Sequence, residues 1–167
     1  MGRRAFAVAL TAGLLAAAPA SAGDPPDAAK VRAAAEQFDA GVSAFKRKDF
    51  EGAASHFEAA DAAVPGTKAL RRAIQARVEA GQGSRAATLA ALALDRYPND
   101  AATTKLAKDT VEKLHALLYK VSVTCSAPCM LAVGSRSVPG EAATRRVVYL
   151  DPGSATLNAS FDTSRGR

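Results

Sequence analysis

From Ala28 onward, apolar or small residues recur at Val31, Ala34, Ala35, Phe38, Val42 and Phe45, mostly three or four apart. That spacing puts them on one face of a helix. Lys48-Asp49 interrupts the run, and Phe50 opens a second one that lasts to about Ala63. Pro65-Gly66-Thr67 breaks the chain again and offers Thr67 as an N-cap for a third helix to about Ala80. Gly81-Gln82-Gly83-Ser84 reads as a turn ending in a second cap candidate. A fourth helix carries Ala87, Leu89, Ala90, Ala91, Leu92 and Leu94, and stops near Tyr97-Pro98-Asn99-Asp100. A fifth is predicted from about Ala101 to Tyr119, with Leu106, Val111, Leu114, Leu117 and Leu118 as its apolar set.

After Tyr119 the period changes. Val121-Ser122-Val123-Thr124-Cys125 alternates apolar and polar, as a half-buried strand does. Cys129 to Gly134 reads as a second strand, Arg146 to Leu150 as a third, and Ala155 to Phe161 as a fourth after the Asp151-Pro152-Gly153-Ser154 turn. The predicted fold class is α+β: helical hairpins over residues 28–119, then a small antiparallel β-module over residues 120–167.

Within the helical part, Gly41, Ala53, Phe57, Ala60 and Pro65 describe two antiparallel helices pressed together and then stopped. Gly41 lets the second helix approach its backbone, and Phe57 fills the space between them. A shift of 34 residues places Ala53 on Ala87, Phe57 on Ala91 and Ala60 on Leu94, with Pro65 beside Pro98. In this respect the chain resembles the tetratricopeptide repeat, whose period is 34 residues. One unit spans about Ala34 to Thr67 and a degenerate second about Lys68 to Ala101, where Gln75 stands in the place of Gly41. Gln37 holds the usual tryptophan position and Ala44 the usual tyrosine position. The strands, the opening Val121-Ser122-Val123 and the Leu150-Asp151-Pro152-Gly153 turn are similar to the PEGA domain, a small β-sandwich-like module of bacterial envelope proteins. The P-E-G-A string is absent, and Pro139-Gly140-Glu141-Ala142 only scrambles it. The family would supply a further strand after Phe161, so the module is expected to be incomplete, or completed by a partner strand.

Ahead of this lies a targeting pattern. Arg3 and Arg4 precede an apolar run from Ala5 to Ala18, and Ala20-Ser21-Ala22 offers a cleavage site before Gly23. Residues 1–22 are expected to be a signal peptide, with an uncleaved anchor as the alternative, and residues 23–27 a linker. The expected location is periplasmic or secreted. Cleavage leaves 145 of the 167 residues and lowers the net charge from +6 to near +4. The charge is scattered and tryptophan is absent. There is no dense basic face with aromatic platforms, which argues against nucleic acid as a partner. Weak attraction to acidic envelope polymers or to a membrane surface stays open.

Cys125 and Cys129 flank the short Ser126-Ala127-Pro128 stretch. An oxidising compartment favours a disulfide there, fixing a hairpin. Three residues between the cysteines, rather than two, disfavour a redox pair. Tetrahedral zinc needs about four ligands, and His115 lies on another element. No metal site, cofactor or catalytic residue is predicted. His56 and His115 lack a partner for nucleophilic chemistry, and Glu51 and Glu58, seven apart, read as ordinary exposed glutamates.

The tetratricopeptide resemblance implies that the first helix of each unit lines a concave groove. The matching positions are Phe38, Val42, Phe45 and Lys46 in one unit and Arg72, Ala76 and Glu79 in the other. Phe38 and Val42 occupy the places of the carboxylate clamp by which some members grip a peptide terminus, so that mode is disfavoured. An apolar stripe beside Arg72 suits an amphipathic segment of a protein or peptide partner. Equally, Phe38 and Phe45 fit a core stripe at helical spacing. The resulting expectation is an exported non-enzymatic adaptor in a cell-envelope assembly. The alternative is a structural or cell-wall-binding protein whose β-module makes the contact while the repeats act as a spacer.

Overall fold

A computed structural model describes residues 27–161. The expected signal peptide, its cleavage site and most of the linker lie outside the described residues. Five helices come first: α1 (Ala28–Lys46), α2 (Phe50–Ala63), α3 (Thr67–Glu79), α4 (Gly83–Arg96) and α5 (Ala101–Leu114). A single 3-10 turn, His115–Leu117, leads into a four-stranded antiparallel sheet of β1 (Tyr119–Val133), β2 (Arg136–Ser137), β3 (Ala143–Leu150) and β4 (Leu157–Phe161). The α+β arrangement of helices followed by a small β-module is as the sequence predicts.

Aspartates start three of the helices. Asp27, placed by sequence in the linker, accepts the Ala29 N–H at 3.0 Å and so caps α1. Asp49 accepts the Gly52 N–H at 2.9 Å, and Asp100 the Thr103 N–H at 2.7 Å. Each satisfies a donor that the first helical turn leaves free. The other two starts differ from expectation. Thr67 is the first residue of α3 rather than its cap; the cap is Gly66, whose N–H goes to Asp61 in α2 at 3.1 Å. Likewise Ser84 lies inside α4, which begins at Gly83 after Gln82. Both side chains lose the cap role because the turn before each helix is one or two residues shorter than the sequence suggests.

The helical core is a lattice of alanines around a few large side chains. Phe57 is 1% exposed, and Ala53, Ala54, Leu70, Ala73, Ile74, Ala76, Ala90 and Ala93 are fully buried. A methyl group on Gly41 would lie 2.7 Å from Phe57 Cε1, so this glycine sets how closely α1 and α2 approach. The repeat weakens where Gln75 replaces that glycine. Gln75 is exposed, Ala91 is only half-buried, and the α3–α4 contact relies on Ala73, Ile74, Leu89 and Ala93 instead.

α5 ends earlier than predicted. Its buried positions are Thr103, Ala107 and Thr110. A longer helix would carry Leu117 on that same face, but Leu117 lies in the 3-10 turn instead, 65% exposed, and the chain turns into β1.

The sheet corrects the strand count around the cysteines. The two strands predicted over 121–125 and 129–134 form one, β1, which runs through Pro128 without reversing. Its first half pairs with β3 from Tyr119↔Leu150 to Thr124↔Arg145, and the pairing resumes at Cys129↔Ala143. Five steps along β1 thus face two along β3, and Ser126-Ala127-Pro128 swells out as a bulge. Cys125 and Cys129 are disulfide-bonded across it, with α-carbons 6.3 Å apart. The disulfide is present as expected, but it staples a bulge within a strand rather than the end of a hairpin. Proline has no ladder N–H to give, and the bulge relieves it of that role. Cys129, Leu131, Val138 and Val148 form the small buried core of the module.

Helices and sheet meet along α4 and β3. The Tyr149 N–H points away from β1 and donates to Thr88 Oγ1 at 2.9 Å. Thr88 in turn donates to the Ser84 carbonyl at 2.8 Å. One buried hydroxyl therefore ties the outer edge of β3 to the helix that covers it.

Candidate functional site: a helical groove and a charged junction

The sequence-predicted groove positions separate. Phe38 packs on Phe57 with ring centroids 5.3 Å apart, and Lys68 Nζ sits 5.0 Å above its other face. Phe45 packs on Phe50 at 5.1 Å, and Val42 joins the same core. These three are half-buried and committed to the α1–α2 hairpin. Ala76 is fully buried and offers no surface to a partner. Lys46, Arg72 and Glu79 are exposed. Arg72 donates to Gln75 one helical turn along.

An apolar opening lies between α3 and α5. It measures about 220 Å³ and is floored by Ile74, Val78, Leu106 and Leu114. Glu79, Asp109 and Lys113 stand at its rim. Of the predicted positions only Glu79 lines it. The helical period places Val78 beside Ile74, and Leu114 beside Leu106 and Thr110, as one stripe on α3 and one on α5.

The second constellation was not foreseen. Glu58, expected to be a surface glutamate, is 12% exposed at its side chain and lies between two arginines. Arg77 of α3 donates to Glu58 Oε1 at 2.6 Å, and its own side chain is 5% exposed. Arg85 of α4 donates through Nε to both Glu58 oxygens at 3.0 Å and through Nη2 to Glu58 Oε2. The other guanidinium nitrogens are engaged as well: Arg77 reaches Ser55 and Gln82, and Arg85 Nη1 reaches the Ser137 carbonyl in β2 at 2.9 Å. A single carboxylate thereby links α2, α3, α4 and the β-module. Buried pairs of this kind persist only when nearly every donor is satisfied, and these are.

A second pair repeats the arrangement nearby. Arg96 donates to Asp61 Oδ2 at 2.8 Å, with the aspartate side chain 7% exposed. Burial raises the Asp61 carboxyl above its usual range; the Gly66 N–H and Arg96 act in the opposite direction without cancelling it. Burial also raises the Tyr149 hydroxyl. His56 Nδ1 bonds Gln37 Oε1 at 2.8 Å, so the residue in the usual tryptophan position holds a histidine instead.

Among the described residues, no three His, Cys, Asp or Glu side chains are grouped to hold a metal ion. None of the described helices is long and apolar enough to cross a membrane. No family model, curated protein or solved structure matches the chain.

Proposed function

We propose that the chain is an exported, non-enzymatic adaptor that receives an amphipathic segment of a protein partner in the α3–α5 groove. The reading rests on one observation: an open apolar trough between α3, the first helix of the second hairpin, and α5, floored by Ile74, Val78, Leu106 and Leu114. It has the shape that a helix-in-groove contact needs, with Asp109 and Lys113 offering charge of both signs at the rim. The tetratricopeptide resemblance supports the same placement, since that family binds along its first helices. The PEGA resemblance and the targeting pattern support a place in the bacterial envelope.

The test is site-specific crosslinking in the native envelope. A photo-crosslinker at the exposed Gln75 should capture a defined partner. The yield should fall roughly tenfold when Val78→Asp puts an unpaired charge in the trough. The same probe at Arg47, at the far end of α1, should capture little. Equal capture from both positions, or capture untouched by Val78→Asp, rejects the groove.

A further inference from the structure

The charged junction opens into cavities that share no residue with the α3–α5 groove. A smaller one, about 390 Å³, is lined only by Glu51, Ser55, Glu58, Arg77, Arg85 and Arg136. A larger one, about 540 Å³, lies between the start of α4 and the sheet. It falls in the range of about 300–1,000 Å³ usual for small-molecule sites. Arg85 and Arg136 line both, so they form a shared wall.

In the smaller cavity the charges do not balance. Arg77 and Arg85 are spent on Glu58. Glu51 accepts from the Gln82 amide at 3.0 Å. Arg136 makes no ion pair among the described residues. Three guanidinium groups thus meet two carboxylates there, and the one without a partner is the exposed Arg136; Asp151, in the larger cavity, brings the double cleft as a whole to three of each. The Arg136 backbone is fixed, because Arg85 holds the next carbonyl, that of Ser137, and β2 pairs with β1 at Val133↔Arg136.

Beyond Arg136 and Arg85 the larger cavity offers hydroxyls and the Asp151 carboxylate rather than further cations. Ser135, Ser154 and Thr156 line it, and Asp151 accepts from Ser84 Oγ at 2.7 Å with one oxygen, leaving the other free to accept again. Val133, Pro152 and Ala155 supply small apolar patches among them. A bare inorganic anion would use Arg136 and leave this surface idle. A neutral sugar would use the hydroxyls and leave the cation unpaired.

We propose that this double cleft binds an acidic saccharide. Its carboxylate pairs with the Arg136 fork, and its hydroxyls donate to Asp151 and exchange hydrogen bonds with Ser135, Ser154 and Thr156. The C–H face of the ring lies against Pro152 and Ala155. Two parallel guanidinium–carboxylate bonds supply direction as well as strength.

The proposal does not rest on the adaptor reading, and its test leaves Val78 untouched. Glucuronate, glucose and acetate are titrated separately into the disulfide-bonded protein at low salt while amide resonances are followed. Glucuronate should shift Ser135 to Ser137 and Ser154 to Thr156 saturably. Arg136→Ala should weaken binding by roughly tenfold or more, and Arg136→Lys less, since the charge remains but the fork is lost. Glucose should bind about tenfold more weakly than glucuronate by the same reasoning. No saturable shift with glucuronate, unchanged affinity in Arg136→Ala, or acetate binding as well as glucuronate would each overturn the proposal. Arg136 is exposed, so its loss leaves the fold intact, and the unshifted spectrum of the variant verifies this.

Discussion

The α1–α2 hairpin and the junction between α4 and the β-module hold together by opposite means. The hairpin is chiefly a contact of shapes: a glycine backbone against one aromatic ring, ringed by alanines, with the Gln37–His56 hydrogen bond beside it. The junction is a contact of donors and acceptors. Thr88 accepts the Tyr149 N–H, Ser84 donates to Asp151, and Arg85 spans from Glu58 to the Ser137 carbonyl. A shape contact tolerates any pair of residues that fill the same volume. A hydrogen-bonded contact tolerates far less, because each lost partner leaves another buried group unsatisfied. The first hairpin is thus held largely by shape, and the placement of the sheet upon α4 is held specifically.

Glu58→Ala would break that contrast most directly. It strands Arg77 and Arg85 as unpaired charges, one of them almost fully buried, and should cost about 3–5 kcal/mol in urea denaturation. The β2 amides should exchange faster as well, since Arg85 would no longer be held against Ser137. A loss below about 1 kcal/mol would mean that the network behaves as a surface pair. Next comes the bulge. Replacing Cys125 and Cys129 together with alanine should cost about 2 kcal/mol by the chain-entropy estimate for so short a loop. The loss should fall on the sheet, with the helical signal melting as before.

Gly41→Ala tests the other side of the comparison. The new methyl group meets the buried Phe57 ring, which has no room to withdraw; overpacking costs about 1–3 kcal/mol. Helix propensity returns about 1 kcal/mol. A net loss of about 1 kcal/mol in thermal unfolding is expected, and a net gain would show that the approach is loose. The smallest effect is the pH response of Asp61. Its carboxyl is raised in the folded state, so the native protein takes up that proton before the unfolded chain does. Stability relative to the Asp61→Asn variant should therefore rise as pH falls from about 6 through the folded value toward the unfolded value near 3.8. A relative stability that stays flat or falls over that window would contradict the burial of this group.

What the sequence disclosed follows the same division. The Gly41–Phe57 contact, the turn at Lys48-Asp49 and the proline stop could be read directly, because packing of shapes leaves a period in the chain. The change at Tyr119 from helical to alternating spacing was legible for the same reason, except that β1 begins where α5 was still expected. The bulge was not, since Ser126-Ala127-Pro128 has the composition of a turn and only the pairing with β3 shows that the strand continues. Glu58, Arg77 and Arg85 left no trace either: charges on successive helices look like solvated surface until the helices are packed. Phe38, Val42 and Phe45 stayed ambiguous, because a stripe facing a groove and a stripe facing a neighbouring helix have the same spacing. The trough that does open was marked by Val78 and Leu114, residues that the repeat pattern does not single out.

The hydroxyl of Thr88 has a consequence for the order in which the chain is made. The outer rim of β3 is a row of main-chain groups that would template pairing with other copies while the protein folds. The element that covers it is encoded about 60 residues earlier, and its hairpins close through local contacts that form fast. By the time β3 leaves the ribosome, α4 can already be folded. The strand then meets its own cover before it meets a neighbour.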